Sequence, residues 1–508
     1  MGQTTIFEML YPTFKIDKEI KLITLFSGYD SQALSLRYLG VPFIHHKTCE
    51  WAVKSIQALK NLHFAEDNTD YSKDLNKAQL QEYLFSKGIS QNYNVPMTRE
   101  QINRLKEDNL RTIYNNIQAT HNLVNIQQVK GTDLEIEDTD KYCYIMTYSF
   151  PCQDLSLAGK GKGMSDTSTR SGMLWEVERI LTECKELGNL PQVLLMENVP
   201  QVHGADNVED FNKWQLRLEE LGYKNYWQDL IATDYGIPQT RNRTFMISLL
   251  GDYSYTFPKP IPLEKKLKDL LENNVDEKYY LSDKQIKDVQ SWNAYEKPLK
   301  NMEKVDKSNI SPTLTTRSGA YAAGMILVKN NTKKGYLEAN EGDGIDISSR
   351  MEHHRGTVQK DKAQTLTTQC DRGVVIGTYQ YSKSDKFMQG RDRLQLGKEV
   401  SDTLQTTQKE GVVTIGNYSP SNHNASRIVD NEHSAPTVME NHGTITATQT
   451  SDLRIRKLTP KECFRLMGVK DENFDKVKKN QSDSSLYHLA GDSIVVNVLM
   501  AIFKEMSK

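Results

Sequence analysis

The chain has 508 residues, which at roughly 150 residues per domain predicts two to four domains with ample material for a buried core. Lys and Arg total 64 against 66 Asp and Glu, a net charge of -2, which excludes binding of nucleic acid by bulk charge but leaves room for a local basic groove. Six cysteines without CxxC spacing argue against a zinc site and a disulfide scaffold, and the apolar fraction of 37% implies that much of the chain is loop or insertion.

The opening residues, MGQTTIFEMLYPTFKID, hold no apolar run of signal-peptide length, and no later stretch is expected to reach the ~18 apolar residues of a membrane span. A soluble, cytoplasmic protein in a reducing environment is the expectation. From Ile20 to Pro42 the sequence reads as a buried strand, KLITLF, a turn, SGYDS, and an amphipathic helix, QALSLRYLG, stopped by Gly40 and Pro42. This opens a βαβ unit. Residues 65–128 are polar and helical, as in KDLNKAQLQEYLFSKG, and read as an insertion. Strand signals return at Tyr144–Tyr148, Val193–Met196 and Thr244–Leu250, with charge-rich helical stretches between them. Strands alternating with helices predict an α/β fold with a doubly wound, mostly parallel sheet.

After Phe257 the texture changes. PKPIP reads as a linker, a polar helical piece follows, and residues 301–450 are rich in Thr, Ser, Gly, Asn and Gln. Four related stretches recur there: SPTLTTRSGAYAAGMIL, AQTLTTQCDRGVVI, SDTLQTTQKEGVVTI and APTVMENHGTIT, led by Thr313, Thr365, Thr403 and Thr437. Each reads as strand, Gly-containing turn, strand, which predicts repeated hairpins in a second, β-rich and irregular domain. RKLTPKECFRLMGV then starts a capped helix, with Thr459 as N-cap, Pro460 at the first helical position and Glu462 in the capping-box position. SIVVNVLMAIF returns to core-like composition. The expected division is residues 1–257, residues 258–455, and a return to the first domain over 456–508.

Two residues carry candidate chemistry on these elements. Cys152, in Phe150-Pro151-Cys152-Gln153, directly follows the strand YIMTYS, at the carboxyl end where open parallel sheets place ligands. A lone cysteine is more often an inert buried hydrophobe than a nucleophile. Here a Gly- and Lys-rich loop, SLAGKGKGM, comes just after it, and a second strand, VLLM, ends in Glu197-Asn198-Val199-Pro200. A carboxyl group beside a thiolate at one sheet edge suggests acid catalysis next to a nucleophile.

With these residues the sequence resembles the DNA cytosine-5 methyltransferases of bacterial or phage type. The likeness rests on LFSGYDSQALSLRYLG (25–40), Glu50-Trp51, SFPCQDLSLAGKGKGM (149–164), RSGMLWEVERI (170–180), LLMENVP (194–200), QTRNR (239–243), RKLTPKECFRLMGV (456–469) and GDSIVVNV (491–498), in family order. It implies transfer of a methyl group from S-adenosylmethionine to C5 of cytosine in duplex DNA, on a base flipped out of the stack. It makes Cys152 the nucleophile that adds to C6 and Glu197 the carboxyl group at N3, and it assigns Arg241 and Arg243 to cytosine O2 and the adjacent backbone. Their bland alternative is an ordinary surface ion pair.

For the cofactor, the resemblance puts Phe26 on the adenine, Gly28 where the chain approaches the methionine carboxylate, Glu50 on the ribose hydroxyls and Trp51 over the adenine or sulfur region. Asp133 is the implied acceptor for the adenine amino group, Leu174 a lesser contact, and Asp492 and Ser493 belong to the closing motif. Two departures stand out: Asp30 replaces a glycine and Asp492 an asparagine usual in the family. The partner implied is duplex DNA, with or without a cognate restriction endonuclease; a monomer with no membrane association is expected.

Two other readings compete. A catalytically dead DNA-binding relative predicts loss of Cys152, Glu197 or Arg243, and all three are present. A transfer-RNA methyltransferase of the same fold has no need of the large segment 258–455, which a reader of duplex sequence requires. That segment holds five of the eleven histidines (353, 354, 423, 433, 442) and many amide side chains suited to base edges. Its four Thr-led copies raise the expectation of partly independent recognition units.

Overall fold

Strand β1 (Glu19–Leu25) forms where KLITL offers apolar side chains to both faces of a sheet, and all but its first residues are buried. In the computed structural model the described residues are 11–151, 171–280, 326–332, 336–339, 342–346, 356–366, 372–377, 414–417, 427–429, 447–448 and 453–507. They fall into two compact units, Met1–Lys265 with Thr365–Cys370 and Pro460–Lys508, and Lys266–Gln364 with Asp371–Thr459. The first unit thus runs eight residues past the expected boundary and takes back the segment beginning at Thr365.

The first unit is built on a six-stranded sheet. Its other strands are β2 (Phe43–Cys49), β3 (Tyr142–Tyr148), β4 (Val193–Asn198), β5 (Tyr223–Ile231) and β6 (Asn242–Leu250), in the order β2-β1-β3-β4-β6-β5. Four strands run parallel, while β6 is antiparallel to both neighbours. The mostly parallel sheet expected from the sequence is therefore present. Helix α1 (Ser31–Leu39) returns from β1 and ends at Gly40 in the left-handed conformation, as the sequence predicts. Helices α2 (Val53–His63), α6 (Leu174–Glu186) and α7 (Val208–Leu221) supply the other crossovers. Leu174, Val177, Ile180 and Leu181 of α6 and Phe211, Trp214 and Leu218 of α7 pack on Tyr148, Leu194 and Met196.

Residues 65–128 are indeed largely helical, with α3 (Lys77–Lys87), α4 (Arg99–Asn103) and α5 (Glu107–Ala119). They are not merely polar. Leu80, Leu84, Ile89, Met97, Ile102, Leu110, Ile113 and Ile117 form a satellite core with Ile56 of α2, and Trp51 packs against it.

The carboxyl-terminal helices are α8 (Pro460–Leu466), α9 (Asp471–Val477), α10 (Asp483–Asp492) and α11 (Val496–Met506), and the first starts at the expected Pro460. By length and composition Asp483–Met506 could cross a membrane, contrary to the expectation that no stretch would. It is divided at Ser493–Val495, and 67% of its apolar window is buried in the fold, the signature of core helices.

In the second unit the described strands include β7 (Ile326–Lys329), β8 (Tyr336–Ala339), β9 (Gly344–Asp346), β10 (Val358–Gln359), β11 (Arg372–Gly377), β12 (Thr414–Asn417), β13 (Arg427–Val429), β14 (Ala447–Thr448) and β15 (Leu453–Lys457). They make small sheets ordered β10-β9-β11-β15, β12-β13-β14 and β7-β8. The glycine-following half of the first three repeats is strand, as β7, β11 and β12. The hairpin reading fails for the second copy, however. β11 pairs with β9 and β15 rather than with its own lead, and Thr365-Leu366 is not strand. The leads at Thr313, Thr403 and Thr437 lie outside the described residues.

Candidate active site

The register of the parallel strands brings the candidate residues to one edge. Leu25 is level with Cys49 and with Tyr148, and Tyr148 with Met196. The next residue of each strand, Phe26, Glu50, Ser149 and Glu197, therefore lies at the same carboxyl edge, the ligand side of an open α/β sheet. Strand β6 enters from that edge in the opposite sense, with Thr244 level with Asn198, so Arg243 arrives beside Glu197.

Glu197 is 4% exposed, with a hydrogen bond on one oxygen and an ion-pair contact on the other. Ser149 Oγ donates to Oε2 at 2.5 Å, and Arg243 Nε stands 3.1 Å from Oε1. Arg243 also donates through Nη1 to the Asn242 carbonyl at 2.7 Å. Asn198 ties the neighbouring turns, donating to the Phe150 carbonyl at 3.1 Å and accepting from the Val199 N–H at 2.8 Å. The edge thus carries a carboxyl group oriented by a hydroxyl and a guanidinium, next to the chain that leads through Pro151 toward Cys152. Cys152 itself lies outside the described residues.

Arg241 requires a correction. It is 3% exposed, and it donates to the carbonyls of Leu366 (3.3 Å), Gly491 (3.0 Å) and Ser493 (2.8 Å). Its guanidinium is a buried strut that joins the loop before β6 to the closing motif, not a group free to hold cytosine O2. Gln239 acts in the same way, donating to the Leu466 carbonyl at 2.7 Å and accepting from the Leu366 N–H at 3.0 Å. Thr365 Oγ1 donates to the Thr240 carbonyl at 3.4 Å. The second Thr-Leu element is therefore docked on the QTRNR segment, which is why it does not form a hairpin. Neither Ser149 nor Gln239 was singled out from the sequence for a role of its own, although both stand inside recognised motifs.

At the first turn, Phe26, Gly28 and Asp30 alternate in the left-handed region with φ of 57°, 56° and 63°. Gly28 allows this and donates its N–H to Glu50 Oε2 at 3.0 Å, while Glu50 Oε1 accepts from the Ala52 N–H at 2.7 Å. Enclosure pushes the Glu50 carboxyl up to about 7, and these two N–H groups oppose that rise. Phe26 and Trp51 are each partly buried beside this turn. The Asp30 carboxylate turns inward. It caps α1 by accepting from the Ala33 N–H at 3.0 Å and accepts from Thr24 Oγ1 at 3.3 Å, so the departure from glycine adds a helix cap and no charge toward a ligand.

The remaining expected contacts divide. Asp492 has a half-exposed carboxylate paired with His488 at 2.9 Å, and Ser493 follows it. Asp133 is exposed, and its Oδ2 accepts from the Lys130 N–H at 2.9 Å in the turn Gly131–Leu134. Leu174 is wholly buried in the core against which Phe26 packs, so its side chain offers no surface to a ligand. The residues around the first turn fit a nucleoside with vicinal hydroxyls: a fixed carboxylate for the hydroxyls, two aromatic side chains for a base, and a left-handed glycine turn at a helix start.

Comparison with known proteins decides the family, for the C-5 cytosine-specific DNA methylase family matches residues 88–508. The chain belongs to that family. It is a DNA (cytosine-5-)-methyltransferase. Among its relatives, the type II methyltransferase M2.ScrFI of Lactococcus lactis subsp. cremoris is 27% identical over 96% of this chain and 99% of its own length. The orphan methyltransferase M.SssI of Spiroplasma monobiae is 36% identical over 52% of this chain and 68% of its own. Among solved structures, the Entamoeba histolytica methyltransferase EhMeth aligns with a TM-score of 0.48 and 12% identity, covering 96% of this chain and 98% of that one.

Proposed function

We propose that this methyltransferase moves the methyl group of S-adenosylmethionine to C5 of a cytosine flipped out of duplex DNA, through a covalent bond between Cys152 and C6. The observation that carries this reading is the placement of Glu197, Ser149 and Arg243 at the sheet edge that leads to Pro151 and Cys152. Cytosine C5 is a poor nucleophile until a thiolate adds at C6 and turns the ring into an enamine. Glu197 holds a proton at N3 as that addition places charge on the ring, and Arg243 fixes the carboxyl while lying close enough to face the base. Bound beside Phe26, Gly28, Glu50 and Trp51, with Asp492 and Ser493 nearby, the cofactor supplies an electrophilic sulfonium methyl. Loss of the C5 proton to a base then releases Cys152.

The enzyme acts as a monomer on duplex DNA in the bacterial cytoplasm, the second unit reading the target. Cys152→Ser tests the covalent step. That variant loses methyl transfer and no longer forms a trapped adduct with 5-fluorocytosine DNA, because a hydroxyl is a far weaker nucleophile than a thiolate. Cys370→Ser keeps both. Near-normal turnover by Cys152→Ser ends the covalent mechanism.

A further inference from the structure

The helical insertion is fastened to the turn that carries Glu50 and Trp51. On one side the Ser90 N–H donates to the Trp51 carbonyl at 2.7 Å, and the Val53 N–H to the Ser90 carbonyl at 2.9 Å. On the other, the chain leaving α5 runs along the free edge of β2: the Leu123 N–H donates to the Thr48 carbonyl at 2.8 Å, and Thr48 Oγ1 to the Thr120 carbonyl at 2.9 Å. Between the two seams stands Asn122, 7% exposed. Its Oδ1 accepts from the Glu50 N–H at 3.0 Å and from the Val124 N–H at 2.9 Å, and its Nδ2 donates to the Glu50 carbonyl at 2.9 Å.

One amide side chain therefore satisfies both backbone polar groups of Glu50. A primary amide presents a neutral donor and acceptor side by side without any proton to lose. The turn it holds is otherwise unfavourable, since Val124 is a β-branched residue at φ 70°. With its backbone fixed by Asn122, Glu50 can direct its carboxylate to the N–H groups of Gly28 and Ala52 with little freedom left. The insertion also supplies the apolar bed on which Trp51 rests.

We propose that Asn122 is a positioning residue for the cofactor, fixing Glu50 so that its carboxylate meets the ribose hydroxyls, and that the helical insertion is thereby an integral wall of the cofactor site. This rests on the reading of Glu50 as the acid that binds those hydroxyls. Calorimetric titration of the full chain with S-adenosylhomocysteine tests both. Glu50→Ala weakens binding, and Asn122→Ala weakens it by about tenfold to a hundredfold in the native background. Because Asn122 works through Glu50, adding Asn122→Ala to Glu50→Ala costs less than about twofold more. An equal loss in both backgrounds, or unchanged binding by Asn122→Ala while Glu50→Ala binds weakly, overturns the positioning role alone. Unchanged binding by Glu50→Ala overturns the reading of Glu50 and the proposal with it. Should Asn122→Ala not fold, Asn122→Asp keeps the acceptor for the two N–H groups, while its ionised carboxylate loses the donor at the Glu50 carbonyl and adds a negative charge there. Several-fold weaker binding that is absent in the Glu50→Ala background supports the role, and native affinity overturns it.

Discussion

Asp30→Asn isolates the cost of a buried carboxyl group. Asp30 is 0% exposed, and burial pushes its carboxyl up to about 7 from an ordinary 3.8, opposed by the Ala33 N–H, Thr24 and Arg37. His45, whose Nδ1 lies 3.6 Å away, is pushed by its own burial down to about 3, and His63 is also held well below its usual range, so neither is charged to pair with Asp30 near neutrality. Between pH 3.8 and about 7 the folded chain holds a proton here that the unfolded chain has released, so stability falls as pH rises. At about 1.4 kcal/mol per unit, this group costs the native protein about 3 kcal/mol between pH 5 and pH 8. An asparagine in its place has no such loss, while it still caps α1 and tolerates φ 63°. Urea unfolding of both proteins at pH 5, 6, 7 and 8 measures the difference. The variant's advantage should widen from pH 5 to pH 7 and level off by pH 8. Parallel curves, or a variant that is less stable at pH 8, would show instead that Asp30 is ionised against a protonated His45.

Glu197→Gln should slow single-turnover methyl transfer by about a hundredfold or more while duplex DNA affinity stays within a few-fold, since an amide can donate at N3 but cannot follow the change in protonation; a proportional loss of affinity would reassign Glu197 to binding. Arg241→Ala should cost about 3 kcal/mol of stability, because two buried carbonyls and a partly buried one lose a charged donor, and guanidinium unfolding of the purified variant reads it directly. If the Thr-led repeats are separate readers, deleting residues 378–413, which carry Thr403 and lie between β11 and β12, removes one motif from the methylome and spares another. A single motif in the intact enzyme's methylome rules that out.

The central sheet was legible because its inner strands are apolar on both faces, as in VLLM and YIMTY, and each is followed by a polar helical stretch. β5 was not, because YKNYWQDLI is an edge strand that leaves Trp227 and Gln228 exposed and carries no continuous apolar run. The insertion read as polar for a related reason. Its buried leucines and isoleucines are spaced for helices that cover one another, and that spacing does not reveal a separate core until the helices are assembled.

The two arginines of QTRNR show where sequence reading stops. They are the same residue type, two positions apart, and equally suited by chemistry to a base or a phosphate. What separates them is the carbonyl groups of Leu366, Gly491 and Ser493, contributed by chain 125 to 252 residues away, which enclose Arg241 and leave Arg243 to Glu197. The same holds for Asn122, whose partner Glu50 lies 72 residues earlier. Groups proposed to react must carry a distinctive chemistry, so Cys152 and Glu197 stand out in a linear reading. Groups that position need only a donor or acceptor at the right place, and that place is set by strand order and register, which no local stretch of sequence contains.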